Sequence, residues 1–355
     1  MDLIKLLIVD DSALMRSQMR RIFEVEDDFQ VKTCKNGVEA LSLLQSFQPD
    51  VIALDINMPE MDGLTALSHI MVERPTPVIM VSSLTKEGAL ATLEALALGA
   101  IDFVTKPGGT ISLNIDQMKK ELLEKIRMAA GARLRERPSL RERMRAERQS
   151  IVRAAKADVS LVQKQEQGLV MIGVSTGGPR TLEEVLPLLP EDFPWPVVVA
   201  QHMPASFTCT FASRMDKLCP LRVVEVIRPT VLQAGEIYIA GGGADLILSR
   251  RSRGISLISK PMNKKFLWHP SVDQLVSSAL LYFEPSQLIG VLMTGMGYDG
   301  ADSMKKLYDA GGRTIAESEQ SCVVFGMPAV LIKNDGATSV LPCHSIANKL
   351  VKWVR

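Results

Sequence analysis

Cysteine is scarce in this chain. Its five cysteines, Cys34, Cys209, Cys219, Cys322 and Cys343, are scattered with no C-x-x-C pair, which argues against a zinc site or a disulfide framework and fits a reducing compartment. Histidine is scarcer still, with four residues, so candidates for a base that titrates near neutrality are few. An excess of charge of either sign is also missing. Lys+Arg 41 against Asp+Glu 40 leaves a net charge of +1 and no global pull toward nucleic acid or a membrane surface. No apolar run is long enough to span a bilayer, because the longest candidate, Ala89 to Val104, is broken by Glu94 and Asp102. The opening stretch Met1 to Val9 carries an acid at Asp2 and runs straight into Asp10-Asp11 instead of a small-residue cleavage site. The expectation is a cytoplasmic protein without membrane insertion.

What is present is globular and long. At 355 residues, with 46% hydrophobic and 23% charged content, the chain exceeds one ordinary core and reads as about two domains. In the first half, short apolar runs alternate with helical spacing. Strands are expected at Leu6–Val9, Gln30–Cys34, Val51–Asp55, Val78–Ser82 and Ile101–Thr105, with helices from Ser12 and at Gly37–Gln45, Gly63–Met71, Glu87–Leu98 and Ile115–Met128. That alternation implies a parallel sheet covered on both faces, with ligands bound beyond the carboxyl ends of its strands.

The residues at those ends are chemically coherent. Asp10 and Asp11 follow the first strand, Asp55 ends the third, Ser82 the fourth, and Lys106 follows the fifth. Carboxylates converging on one rim repel unless a hard cation neutralises them, and Mg²⁺ suits an all-oxygen site. Lys106 adds a positive point charge, and a serine hydroxyl can donate to a phosphoryl oxygen. The alternative for Asp11 with Ser12 is a helix cap.

Between residues 126 and 167 the composition shifts. Eight arginines from Arg133 to Arg153 face only Glu136, Glu142 and Glu147, and Pro138 interrupts any single helix. Two readings stand: a charged linker, or a basic surface for an acidic partner or anionic lipid.

Strand-helix alternation resumes at residue 168. Gly173-Val-Ser175-Thr-Gly177, between the apolar run Leu169–Val174 and Pro179, fits a sharp strand-to-helix turn that exposes a serine hydroxyl beside free N–H groups. The same pattern serves as a phosphate-cradling turn, so the partners must decide. A nucleophilic serine needs a base and a group to orient it. His202, in Gln201-His-Met-Pro204, directly follows the strand Pro196–Ala200; His269 and His344 have no such placement, and His69 lies in the first half. Asp299 lies beyond the strand Leu288–Met293 among Gly295, Gly297 and Gly300; it can orient the imidazole or serve as a turn residue or cap. The N–H groups of Thr176 and Met296 are candidates for holding an oxyanion. Further short strands, some antiparallel, are expected at Val223–Val226, Ile237–Ala240, Leu246–Leu248, Ile255–Leu257, Thr314–Ala316 and around Val323.

Two resemblances follow. Asp10-Asp11, Asp55 with Met58-Pro59 and Gly63, Ser82 and Lys106-Pro107 resemble a response-regulator receiver domain. This implies a flavodoxin-like (βα)5 fold over residues 1–125, Asp55 as phosphoacceptor, Asp10, Asp11 and Asp55 as Mg²⁺ ligands, and Ser82 and Lys106 as phosphoryl-binding residues. It also implies Phe103 as a switch aromatic, although a plain core aromatic is an equal reading, and a cis Lys106–Pro107 bond. The segments Gly173–Pro179, Gln201–Pro204, Pro270-Ser-Val-Asp273, Met293–Ala301 and Ser321–Pro328 resemble the chemotaxis-specific protein-glutamate methylesterases, the CheB family. The order serine, histidine, acid disfavours the α/β-hydrolases, which run serine, acid, histidine.

This second resemblance implies a doubly wound α/β catalytic domain with a mostly parallel sheet over residues 168–355. It implies the triad Ser175, His202 and Asp299, no cofactor for the ester hydrolysis, and glutamine deamidation as a second reaction. The implied partners are methyl-accepting chemotaxis receptors as substrate and a chemotaxis histidine kinase as phosphodonor, with no nucleic acid. Tyr298 departs from the family, which usually has asparagine there. Two rival classes are a nucleotide-binding module, for which no ribose-binding acid is evident, and a DNA-binding regulator, for which no helix-turn-helix is evident.

Overall fold

A computed structural model describes residues 3–106, 115–132 and 168–354, with the side chains of 115–118 excepted. The arginine-rich connector from residue 133 and the Lys106–Pro107 bond lie outside the described residues.

The first sheet comprises β1 (Ile4–Val9), β2 (Phe29–Cys34), β3 (Val51–Asp55), β4 (Val78–Ser82) and β5 (Asp102–Thr105). They pair in parallel in the order β2-β1-β3-β4-β5. Because side chains alternate across a strand, Leu7, Val9, Ile52 and Leu54 join one core, whereas Leu6, Ile8, Val51 and Ala53 join another on the opposite face. Helices α1 (Ala13–Glu24), α2 (Gly37–Ser46), α3 (Gly63–Glu73), α4 (Lys86–Leu98) and α5 (Ile115–Ala130) cover the two faces. The first four begin at side-chain caps, Ser12, Asn36, Asp62 and Thr85, each accepting from a backbone N–H three residues on. Ser12, not Asp11, caps α1, and Asp11 stays exposed at the rim. Strand order reverses between β1 and β3, and that crevice gathers Asp10, Asp11 and Asp55.

The second sheet repeats the principle with seven parallel strands: β6 (Leu169–Val174), β7 (Val197–Gln201), β8 (Arg222–Val226), β10 (Glu236–Ala240), β13 (Leu288–Leu292), β14 (Arg313–Glu317) and β15 (Ser339–Leu341), in the order β15-β14-β13-β6-β7-β10-β8. From β6 the chain winds outward through β7, then returns to the other side at β13, which makes the β6–β13 crevice the switch point. Helices α6 (Gly178–Val185), α7 (Ala205–Leu218), α8 (Val272–Ala279), α9 (Ala301–Asp309), α10 (Met327–Lys333) and α11 (Cys343–Val354) pack on this sheet. The antiparallel strands form a separate sheet of β9 (Thr230–Val231), β11 (Ala244–Arg251) and β12 (Gly254–Pro261), ordered β11-β12-β9.

The strand expected around Val323 is not there. One isolated bridge pairs Phe325 with Gly295, because Thr294 Oγ1 takes up the N–H groups of Val323 and Val324 that a ladder would use.

The two sheets meet across a seam that is partly apolar and partly polar. Phe103 on β5 stacks on Phe207 of α7, with ring centroids 4.4 Å apart. Val323 packs against the first sheet's second core, and α4 lies against α6 and α7. Thr176, next to Ser175, donates its hydroxyl to Asp102 Oδ2 at 2.5 Å.

Gly63 shows how tightly the first rim is built, since a Cβ there would lie 2.0 Å from the Asp55 carbonyl oxygen. Backbone cannot yield as a side-chain tip can, so Gly63→Ala is expected to lose about 1–3 kcal/mol in the first domain's chemical unfolding. An unchanged midpoint would contradict this packing.

Candidate active site

The elbow begins where β6 runs out. Gly177, with φ +77°, makes the left-handed turn into α6, and Pro179 sits in that helix's first turn. Ser175 is held by its backbone. Its N–H donates to Thr294 O at 3.0 Å, and its carbonyl accepts from Gly178 N at 2.8 Å and from Gln201 Nε2 at 3.0 Å. Gln201 Nε2 also donates to the carbonyl of His202 at 3.0 Å, and His202 N donates to Val174 O at 3.1 Å. The turns after β6 and β7 are therefore laced together, which brings the serine and histidine segments side by side. Gly295 completes the approach, for a Cβ there would stand 2.7 Å from the Ser175 Cβ.

His202 Nε2 lies 2.9 Å from Asp299 Oδ2. That contact puts the proton on Nε2 and leaves Nδ1 as the basic nitrogen. Nδ1 is buried and has no hydrogen-bond partner among the described residues. Asp299 is 2% exposed, and a bare carboxylate there would be costly. It also accepts from Val272 N at 2.7 Å, Asp273 N at 3.1 Å and Ser271 Oγ at 3.1 Å. Burial pushes its pKa up, but the hydrogen bond and charge of His202 and the two backbone N–H groups outweigh burial and hold the carboxyl below its ordinary value. Asp299 thus stays ionised at neutral pH. The N–H groups of Thr176 and Met296 have no hydrogen-bond partner among the described residues, as donors reserved for an oxyanion require.

The first domain's rim is equally specific. Lys106 Nζ lies 2.9 Å from Asp10 Oδ2 and 2.8 Å from Asp55 Oδ2. Burial pushes the Asp55 carboxyl above its ordinary value in spite of the pull of Lys106. Burial alone would lower the Lys106 ammonium, but its two carboxylate partners raise it instead. Carboxylate oxygens of Asp10, Asp11 and Asp55 come within 4.8 Å of one another, and this hard, all-oxygen donor set fits a Mg²⁺ ion. Ser82 is buried at the end of β4, accepting from Thr92 Oγ1 at 2.7 Å and lying 3.3 Å from the Gly88 carbonyl. Phe103 is 4% exposed; its place is the seam between the domains.

A family model described as CheB methylesterase matches residues 170–350, and one described as response regulator receiver domain matches residues 6–115. A protein-glutamate methylesterase/protein-glutamine glutaminase of Rhodospirillum rubrum is 54% identical over 99% of this chain and 96% of its own length. The chain belongs to the CheB methylesterase family. A relative of the same description from Rhodopseudomonas palustris is 48% identical over 99% of this chain and 98% of its own. Among solved structures, the Thermotoga maritima CheB methylesterase catalytic domain covers 53% of this chain and 98% of that chain, at 38% identity and a TM-score of 0.51.

In this CheB-family chain, sequence reasoning missed the residues that position Ser175, His202 and Asp299, the candidate triad. Gln201 was legible only as the neighbour of His202. Ser271 lies in the segment Pro270–Asp273, where the sequence gives it no role, and no local pattern marks the distance from β5 to the elbow that Asp102 spans. Thr294, whose hydroxyl donates to the Thr176 carbonyl at 3.0 Å, and the buried Glu317, which accepts from Thr294 N at 2.8 Å, form a further brace. His269, which the sequence places at no strand end, pairs through Nδ1 with Asp245 at 2.8 Å. His344 is exposed at the start of α11.

The tautomer is directly measurable. Nitrogen-15 spectra of the neutral His202 ring are expected to show its proton on Nε2 and Nδ1 bare; a neutral ring with its proton on Nδ1 would contradict the arrangement.

Proposed function

We propose that this chain is a phosphorylation-regulated protein-glutamate methylesterase that acts on methylated chemotaxis receptors in the cytoplasm, with deamidation of receptor glutamine as a second reaction. The observation that carries the reading is the buried His202 Nδ1, unpartnered among the described residues beside the Ser175 elbow while Nε2 is fixed on Asp299. A nitrogen kept basic and dry at that point is what a serine nucleophile requires.

The chemistry follows from these positions. Ser175 Oγ attacks the ester carbonyl as its proton passes to Nδ1. The carbonyl oxygen becomes an oxyanion held by the N–H groups of Thr176 and Met296, and Asp299 stabilises the imidazolium. Nδ1 then returns the proton to the methoxy oxygen, the acyl C–O bond breaks and methanol leaves. Water, deprotonated by the same nitrogen, hydrolyses the acyl-enzyme to glutamate and free Ser175. The ester reaction uses only side chains and backbone, and most of its acceleration comes from orientation and preorganised dipoles.

Residues 1–125 act as the input domain, 126–167 as the linker and 168–355 as the output domain. Asp10, Asp11 and Asp55 would hold a Mg²⁺ ion, which would supply charge neutralisation for phosphoryl transfer from a chemotaxis histidine kinase. Asp55 accepts the phosphoryl group, and Lys106 and Ser82 turn to its oxygens. Ser82 then leaves its contacts with Thr92 and Gly88 on α4, the helix that packs on α6 and α7. Loosening α4 and β5 withdraws Phe103 from Phe207 and Asp102 from Thr176, and the population shifts toward an uncovered elbow.

Methanol release from methylated receptor membranes tests the reading. Ser175→Ala is expected to abolish it. Asp299→Asn is expected to lower kcat by about 10³–10⁴-fold through loss of the correct tautomer. Retention of wild-type turnover by either variant would overturn the assignment.

A further inference from the structure

Trp268 and Tyr298 stand beside the proposed base and have no part in the chemistry above. The Trp268 indole lies parallel to the His202 imidazole, with ring centroids 6.1 Å apart and planes 5° apart. Tyr298 meets the same indole edge-on at 4.9 Å and 90°. The indole is held from behind. Gly297, with φ +85°, makes room for the indole, since a Cβ there would come within 2.4 Å of Trp268 Cζ2. The loop carrying Trp268 is anchored on the buried Asp245, which accepts from Asn263 N at 2.8 Å and Ser271 N at 2.9 Å and pairs with His269 Nδ1 at 2.8 Å. Ser271, at the end of that loop, in turn donates to Asp299. Indole, imidazole and triad carboxylate therefore form one rigid unit.

The seam to the first domain runs through Thr176, Phe207 and Val323. Tyr298 is 50% exposed even with that seam closed, and Leu267 is 70% exposed next to Trp268. An aromatic corner that is braced from behind, open in front and stacked on a catalytic imidazole is placed to touch substrate.

We propose that Trp268 and Tyr298 form the rest for the leaving group, covering the methyl on the departing oxygen and so setting a preference for ester over amide. The inference depends on the esterase reading above. Nδ1 must lie within hydrogen-bond reach of the oxygen it protonates, so the methyl on that oxygen emerges along the His202 side of the site, where the indole and phenol rings stand. A methyl group gains by leaving water for an aromatic surface. An amide carries NH₂ at the same point, which loses hydrogen bonds to water there and gains only weaker N–H···π contacts from the ring faces. One methyl-sized apolar contact is worth about 10–200-fold in specificity, so the pair can set the ratio of the two activities without touching the bonds that break.

The test is the ratio of kcat/KM for demethylation to kcat/KM for deamidation, measured with the full chain on one receptor bearing either glutamyl methyl ester or glutamine at the same site. Tyr298→Ala and Trp268→Ala are each expected to lower the ester-to-amide ratio by about 10-fold or more, whereas Tyr298→Phe should keep it within about twofold of wild type. The ratio is insensitive to the fraction of folded enzyme, so a variant that merely folds poorly loses both rates together. An unchanged ratio in both alanine variants overturns the proposal. Absence of methanol release by the wild-type chain overturns the esterase reading instead, which keeps the two failures apart.

Discussion

Everything at the second rim depends on one buried carboxylate. Asp299 accepts from the Ser271 hydroxyl, the Val272 and Asp273 backbones and the His202 ring. Each hydrogen bond to a charged group contributes about 1.5–3 kcal/mol, so the four together offset an ion-burial penalty of several kcal/mol. The same four contacts fix geometry. They pin the N-terminus of α8 to the loop after β13 and dictate the tautomer of the imidazole on the loop after β7. Through Ser271 and Asp245 they also hold the loop that carries Trp268. Removing that charge would leave His202 free to turn and the loop without its inner anchor.

The two domains solve the same problem twice. Each is a parallel sheet with a switch point, β1–β3 in one and β6–β13 in the other, and each collects its charged residues there because backbone beyond the strand ends is free to present them. The first site gathers negative charge around Lys106, so it suits a cation and a phosphoryl group. The second holds one ionised carboxylate behind an imidazole, so it suits attack on a carbonyl. The seam between them is stitched by Phe103 on Phe207 and by Thr176 on Asp102. The second contact ties the input domain to the residue beside the proposed nucleophile. A change on β4 and β5 therefore has a short mechanical route to the elbow.

Much of this was legible in the sequence, because it is encoded locally. Strand ends announce themselves as an apolar run meeting an acid, as at Val9-Asp10 and Leu54-Asp55, and the side-chain caps before α1 to α4 are single residues at fixed offsets. Ser175, His202 and Asp299 could be named as candidates because each lies shortly beyond an apolar strand and histidines are few. The strand expected at Val323 was misread because apolar spacing cannot show that Thr294, distant in sequence, would take its N–H groups. Asp102, Gln201 and Asp245 were passed over for the same reason. Their roles are long-range hydrogen bonds, spanning 74 residues for Asp102 to Thr176, and nothing in their neighbourhood records the partner. The register of Trp268 on His202 belongs to this class too.

The central claim is that the Ser175 hydroxyl is an activated nucleophile whose access is governed by Asp55. The most direct measurement is the rate of covalent labelling by a fluorophosphonate in the full chain, followed by mass spectrometry of the modified peptide, with and without a small-molecule phosphodonor and Mg²⁺. The account predicts a single adduct on Ser175 that forms faster when the phosphodonor is present, and no such acceleration in Asp55→Asn. An adduct elsewhere, no adduct at all, or a rate indifferent to the phosphodonor would contradict it.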